Sequence, residues 1–308
     1  MSFAALALPP LRIALGADGA RGFDPGVPVL AGDAVENLFG AARPVGEVGS
    51  LALFQADGWL LGAATVPLAG GLERASRQLY ADIFAASAGR HLARIWNYVP
   101  AINAIGVGGL ENYRLFCRGR SLAFEERFGQ AFNAHLPSAS AVGGQPDALT
   151  VVFAASPLVP RHVENPLQVA AYDYPAEYGP RPPSFARATV VAGSDRATVF
   201  ISGTAAILGH ATLATDDLSE QLACTLKNLR EISLACGLGP NLDRAGSAAR
   251  HFKIYLRRAG DQPSVAAALE AKLLKSDDRV SYLLADLCRA PLLVEIEASL
   301  FGVTAAGR

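Results

Sequence analysis

Two acids in an apolar run near the C-terminus, Glu295 and Glu297 in Leu293-Val-Glu-Ile-Glu-Ala298, are the residues of this chain best suited to proton chemistry. Side chains two apart on a β-strand point to the same face, so the pair shares one side of the strand that carries it. A carboxyl group set in an apolar wall keeps its proton to higher pH, which is what a general acid needs near neutrality. An outward, half-solvated strand would carry the same pattern, and spacing alone leaves both readings open.

Other reactive residue types are less organised. Cys117, Cys224, Cys236 and Cys288 lie far apart without CxxC spacing, which argues against a zinc site and a disulfide framework. His91, His135, His162, His210 and His251 are scattered, and no pair has the helical spacing of metal ligands. Gly106-Val-Gly-Gly has no Lys-Ser/Thr after it and so lacks the pattern of a phosphate cradle. A site without metal or organic cofactor is expected.

Lys and Arg number 27 against 28 Asp and Glu, so no basic field attracts nucleic acid or an anionic membrane. With 308 residues, 51% of them hydrophobic, the chain can bury a core of one large domain or two modest ones. No apolar run reaches bilayer-spanning length, and the opening nineteen residues lack a basic leader and meet Pro9-Pro10 early. A reduced, cytoplasmic protein is expected.

The elements that must position the two acids form a repeating order. Residues 171–187, rich in proline and aromatics, read as a connecting loop. After it come strands at 187–193 and 196–203, a helix at 218–236 stopped by Gly237, and a strand at 252–258. A helix at 264–274 and strands at 280–287 and 292–300 complete that half. Upstream, strands at 51–54 and 59–66 flank an Asp57-Gly58 turn, followed by a helix at 72–87 and a strand at 93–99. A helix at 113–128 and strands at 138–142 and 148–155 then close the first half. Both halves read ββαβαββ, with Arg94-Ile95-Trp96 standing where Lys253-Ile254-Tyr255 stands in the second. This predicts an α+β protein of mixed sheets with helices packed on one face, divided at 1–156, 157–186 and 187–308.

Residues 187–308 resemble the small module of the YjgF/Rid enamine-deaminase family, whose fold is described as chorismate mutase-like. Phe200-Ile-Ser-Gly-Thr-Ala, Leu226-Lys-Asn-Leu-Arg-Glu-Ile with Ala235-Cys-Gly-Leu, and Val294-Glu-Ile-Glu-Ala carry that likeness. The resemblance implies two Rid-like modules and makes Glu295 the site glutamate. The family's carboxylate-holding arginine falls at Val280, with Arg279 adjacent, a departure from simple deaminase activity.

A longer resemblance is to the chorismatases. Five segments carry it in order: Arg94-Ile-Trp-Asn-Tyr-Val-Pro-Ala-Ile-Asn103, Glu111-Asn-Tyr-Arg-Leu-Phe-Cys-Arg-Gly-Arg120, Tyr178-Gly-Pro-Arg-Pro-Pro-Ser-Phe-Ala-Arg187, Ile201-Ser-Gly-Thr-Ala-Ala-Ile-Leu-Gly-His210, and Cys288 to Glu297. The first ninety residues add little to it. The likeness implies an enzyme that takes chorismate and releases pyruvate, with 3-hydroxybenzoate as the other product and 4-hydroxybenzoate beside it. Hydrolysis to a dihydroxycyclohexadiene carboxylate and a Rid-like imine or enamine hydrolase are the alternatives.

On that resemblance, Glu295 protonates the enol ether, Glu297 is the reserve acid, and Cys288 with Ala206 shapes the pocket that selects the product. Arg120, at the end of a helical segment, and Arg187, after the proline-rich loop, are assigned to the substrate carboxylates, with Tyr113 and Tyr178 as partners. Lys253 and Tyr255, on one strand face, are further substrate contacts if that face is open to a site. A monomer or a homotrimer is expected.

Overall fold

The apolar alternations predicted as strands fold as strands, in a topology that occurs twice. The computed structural model describes residues 8–15, 21–213, 216–246 and 248–304, so most of the opening segment lies outside them. An N-terminal stretch supplies β1 (Arg12–Leu15), β2 (Arg21–Phe23), β3 (Val29–Gly32) and β4 (Val35–Glu36). The first half follows with β5 (Arg43–Val48), β6 (Leu51–Ala56), β7 (Trp59–Pro67), α1 (Leu72–Ala86), β8 (His91–Val99), α2 (Asn112–Phe128), β9 (Ser138–Gly143) and β10 (Ala148–Ser156). The second half runs β11 (Arg161–Val163), β12 (Ala188–Ala192), β13 (Arg196–Ala205), β14 (Ile207–Leu208), β15 (Ala211–Thr212), α3 (Leu218–Ala235), β16 (Ala249–Leu256), α4 (Gln262–Lys272), β17 (Arg279–Leu284) and β18 (Val294–Thr304).

One sheet has the order β5-β6-β7-β10-β8-β9 and the other β11-β12-β13-β18-β16-β17-β3. In each, the last-formed strand enters the middle of the sheet, and a single parallel pair, β8 with β9 and β16 with β17, closes the repeated set. The C-terminal strand that carries the two acids is therefore central: β13 pairs with it on one side and β16 on the other. Strand β3, from the N-terminal stretch, adds itself to the edge at β17.

Each sheet covers one face with its own helices. Tyr80, Ile83, Phe116 and Phe124 of α1 and α2 pack on Ile95, Val151 and Phe153. Leu222, Leu229 and Ile232 of α3 and Leu269 of α4 pack on Ile254, Ile296 and Leu300. The opposite faces of the two sheets meet each other, with Phe54, Trp96, Tyr98 and Val152 against Phe200, Tyr255 and Leu283. The sequence reading left this face of the second sheet available to a site; the first sheet covers it instead, because each has a second apolar face to bury.

Local signals set the helix ends. Asp217 accepts from the backbone N–H groups of Ser219 and Glu220 at the start of α3. Gly237, at φ +79°, ends it, with Gly237 N–H donating to Leu234 and Leu238 N–H to Ser233, the double bond of a Schellman cap. Arg120 lies in the middle of α2 rather than at its end, since the helix continues to Phe128. Strand β17 stops at Leu284, short of the predicted 287, and β18 begins at Val294 rather than 292. Between them the chain turns, with Leu292 N–H donating to Arg289 and Pro291 having no N–H to give a ladder.

Aromatic rings join the two sheets. Phe200 lies 5.8 Å from Trp59, 6.0 Å from Trp96 and 5.8 Å from Phe301, all edge-on. Phe200→Ala is expected to lower unfolding free energy by about 3–5 kcal/mol, read by urea denaturation, because it opens a cavity where neither sheet can collapse without the other.

Candidate active site

Glu295 and Glu297 leave β18 on the face toward the first sheet and are 3% and 2% exposed. Opposite them, β13 carries a bulge: Ile201 pairs with Ala298 and Thr204 with Ile296, so Ser202 and Gly203 together oppose Glu297. The Ser-Gly-Thr motif makes that bulge. The Ser202 hydroxyl donates to Ala186 O at 2.6 Å and accepts the Ala139 N–H at 2.9 Å, tying β13 to the first sheet. A Cβ at Gly203 would stand 1.9 Å from Glu295 Oε1, so any side chain there would push that carboxyl group aside.

The two acids have opposite surroundings. Glu297 accepts from Arg94 Nη2 at 2.7 Å and Trp96 Nε1 at 2.8 Å, and Lys253 Nζ lies 3.0 Å away. Burial opposes its charge, but Lys253 and Arg94 overcome that and hold its carboxyl below the ordinary value. Among the described residues, the polar contact to the Glu295 carboxyl is the Cys288 thiol, whose Sγ is 3.9 Å from Oε2. Burial, reinforced by the Glu297 anion and opposed by Arg94 and Arg187, pushes Glu295 up to about 8. One carboxylate is fixed as an anion and its neighbour is kept neutral, the division of roles that separates an acid from its electrostatic background.

Cys288 touches both the inter-sheet core and the core under α1 and α2. Burial, followed by the Glu295 charge, pushes its thiol far up, so it stays protonated. Ala205 pairs across the ladder with Glu295, and Ala206, which follows it, is wholly buried in the inter-sheet core.

The predicted cations converge as well. Arg120 and Arg187 are 2% and 5% exposed and both approach Phe185, 6.0 Å and 5.1 Å from its ring centre. Arg187 Nη2 donates to the Tyr174 hydroxyl at 2.6 Å, while among the described residues Nε of Arg187 and Nε of Arg120 have no hydrogen-bond partner. Gly119, within α2, lets that helix approach α1, since a Cβ there would lie 2.1 Å from Ser76 Oγ. Tyr113 is half-buried, and its hydroxyl is pushed well up by burial, with Cys117 and Cys288 adding and Arg120 and Arg289 opposing. Tyr178 lies under Arg289, 4.0 Å from guanidinium to ring centre, and its hydroxyl is 3.3 Å from His210 Nδ1.

Lys253 and Tyr255 lie on the predicted face, but that face is closed. Lys253 Nζ is taken up by Glu297 and, at 2.9 Å, by Glu36, and Tyr255 is completely buried. Tyr174, Arg289, Arg94 and Glu36 were not singled out for the site from sequence; Arg94 and Arg289 stand in the motif segments, and Glu36 carries no local signal. Val280, at the Rid arginine position, packs on the α3/α4 core, and neighbouring Arg279 pairs with Asp33. Among the described residues no cluster of three His, Cys, Asp or Glu could hold a metal, and no helix is long and apolar enough to cross a membrane.

The family model described as "Chorismatase FkbO/Hyg5-like, N-terminal" matches residues 39–155. A chorismatase of Streptomyces hygroscopicus is 37% identical over 278 residues, 86% of this chain and 79% of that protein. The chain belongs to the chorismatase family. A 3-hydroxybenzoate synthase of the same organism is 36% identical over 249 residues, 76% of this chain and 72% of its own. A chorismatase crystal structure superposes with a TM-score of 0.76 at 31% identity, covering 97% of this chain and 95% of that one. RidA from Psychrobacter sp. PAMC 21119 covers 46% of this chain at 19% identity and a TM-score of 0.34. The family signal starts at residue 39, well ahead of the Arg94 segment where the motifs begin.

A carboxyl group whose value rises on folding favours the native state while it keeps its proton and disfavours it as pH climbs toward about 8. Glu295→Gln removes that dependence. The variant's stability relative to the parent protein is expected to rise by a few kcal/mol between pH 5 and pH 8 and then level off, measured by denaturant titration across pH.

Proposed function

We propose that this enzyme converts chorismate to pyruvate and a hydroxybenzoate, chiefly 3-hydroxybenzoate, with Glu295 as the proton donor. The observation that carries the reading is the contrast between neighbouring acids: Glu295 stays neutral beside an anion, Glu297, that Arg94, Trp96 and Lys253 hold ionised. The relatives named chorismatase and 3-hydroxybenzoate synthase supply the substrate and product class.

Chorismate carries two carboxylates, a ring hydroxyl and an enol ether. Arg120 and Arg187, desolvated and each with an unpartnered Nε, are the guanidiniums assigned to its carboxylates, with Tyr113 and Tyr178 packing or bonding beside them. Glu295 gives its proton to the terminal methylene carbon, leaving an oxocarbenium-like centre. The ring hydroxyl displaces pyruvate as the ether C–O bond breaks with its electron pair on pyruvate. That oxygen, now bridging two ring carbons and keeping its hydrogen, breaks its bond to the carbon it started on, and the carbon that retains it loses its proton to the ionised Glu295, which aromatises the product as a phenol. Pyruvate and hydroxybenzoate together sum to chorismate, so no water, oxidant or reductant is consumed.

Lys253 and Tyr255 serve this reaction from behind the acids, Lys253 by holding Glu297 and Tyr255 by walling off Glu295 across the ladder. Cys288 and Ala206 fill the space beside the carboxyl group, where a water would otherwise capture the cation and give the dihydroxy diene acid.

Incubation with chorismate, followed by chromatography, is expected to show pyruvate and 3-hydroxybenzoate; a chorismate pool left intact would refute the proposal. Glu295→Gln should lower turnover by at least ~10²-fold while the fold is retained. Because the acid must be protonated, the rate should fall about tenfold per pH unit above about 8. Cys288→Val should divert product toward the dihydroxy diene acid, and an unchanged profile would remove Cys288 from product selection.

A further inference from the structure

Glu36, in the two-residue strand β4, is remote in sequence from every group of the site, yet its side chain is only 10% exposed and lies 2.9 Å from Lys253 Nζ. Lys253 lies 3.0 Å from Glu297, which pairs with Arg94 at 2.7 Å. Two carboxyl groups and two cations thus alternate in one buried line, Glu36, Lys253, Glu297, Arg94, that ends next to Glu295. We propose that Glu36 is a positioning residue of the reaction, balancing Lys253 and so setting the pH range over which Glu295 holds the proton it donates. The inference rests on the assignment of Glu295 as proton donor.

Charges in this line must balance, because water cannot screen them there. Arg94 and Lys253 bring two positive charges into the space between the sheets, and Glu297 neutralises one of them. Without a second anion the surplus cation would favour the carboxylate form of Glu295 and remove the acid from the pH range in which it works. Glu36 supplies that anion from a segment the rest of the site does not use. Burial, with the Glu297 charge adding to it, pushes the Glu36 carboxyl up; Lys253, in contact at 2.9 Å, and Arg94 act against that and favour its charged form.

Few other groups can mimic the effect. Glu295 faces Glu297, Arg94, Arg187 and Cys288, with Tyr255 opposite it on β16. Glu36 faces Lys253, Glu297, Arg94 and Tyr98. At the rim, Asp33 pairs with Arg279 at 2.8 Å, and His251 is pushed down to about 4 by burial and by Arg279, so it is neutral above pH 5. Glu164, pushed up to about 7 by burial, faces Arg187 and is common to all the variants below.

The test compares Glu36→Gln with Asp33→Asn, which breaks an exposed ion pair of the same segment without touching the buried line. The rate against pH with chorismate, and the titration of the Glu295 side-chain ¹³C signal without substrate, assigned through Glu295→Gln, are the two readouts. Glu36→Gln should move both midpoints down by on the order of one pH unit, Glu36→Asp should restore them, and Asp33→Asn should leave them in place. Midpoints that stay put in Glu36→Gln, or that move equally in Asp33→Asn, would overturn the proposal.

If Glu36→Gln does not fold, Lys253→Met and Lys253→Met/Glu36→Gln take its place. The single variant should raise the Glu295 midpoint and the double should bring it back, whereas identical midpoints would refute the role of Glu36. A protein that leaves chorismate unchanged refutes the proposed function alone, because the ¹³C titration still reports whether Glu36 governs Glu295.

Discussion

The structure turns on Glu297 and the three donors that hold it. Arg94 and Trp96 come from β8 of the first sheet, Lys253 from β16 of the second, and the carboxylate from β18 between them. Such a charge is stable between two apolar sheets only when it is fully paired, and removing one partner of a buried pair typically costs about 3–5 kcal/mol. The pairing fixes the relative position of the sheets in a way that apolar packing alone does not, because hydrogen bonds specify direction as well as proximity. It also creates the negative field that keeps the neighbouring acid protonated.

The catalytic role proposed for Glu295 rests on this asymmetry rather than on any rare residue. Glu295 and Glu297 are the same side chain on the same strand face, two positions apart. One receives two hydrogen bonds and a lysine; the other has a thiol and a glycine beside it. The bulge at Ser202 and Gly203 is the backbone device that separates them, since it spends two residues of β13 opposite Glu297 and opens the space into which Glu295 turns. Arg120 and Arg187 reach the same region from different halves of the chain, one on a helix over the first sheet and one just before β12, and both approach Phe185.

Much of this was readable before folding. The order ββαβαββ in each half, the Gly237 stop, the Asp57-Gly58 turn and the shared face of the two acids follow from short-range periodicity, and each is present in the structure. The motif segments contain Tyr113, Arg120, Tyr178, Arg187 and Cys288, and the fold brings those segments near one another, with Arg120 in the middle of its helix rather than at its end. The errors arose where a residue's environment is supplied by distant chain. Lys253 and Tyr255 on an amphipathic strand pattern read as facing a site, and the first sheet faces them instead. Glu36 lies in two residues of strand with no periodicity to notice, and nothing near it in sequence indicates Lys253.

The amino-acid sequence by itself determined the elements, their repeated order, the family and the pairing of two acids on one face, because those depend on side-chain period and on turn and cap chemistry within a few residues. Only the tertiary structure decided which acid is charged and which is neutral. That outcome depends on Arg94 being more than two hundred positions away in the chain and 2.7 Å away in space, on Lys253 of the second sheet meeting Glu36 of the N-terminal stretch, and on both sheets excluding water from all of them. Proton affinity is a property of the surroundings, and here the surroundings are made by two halves of the chain closing on each other.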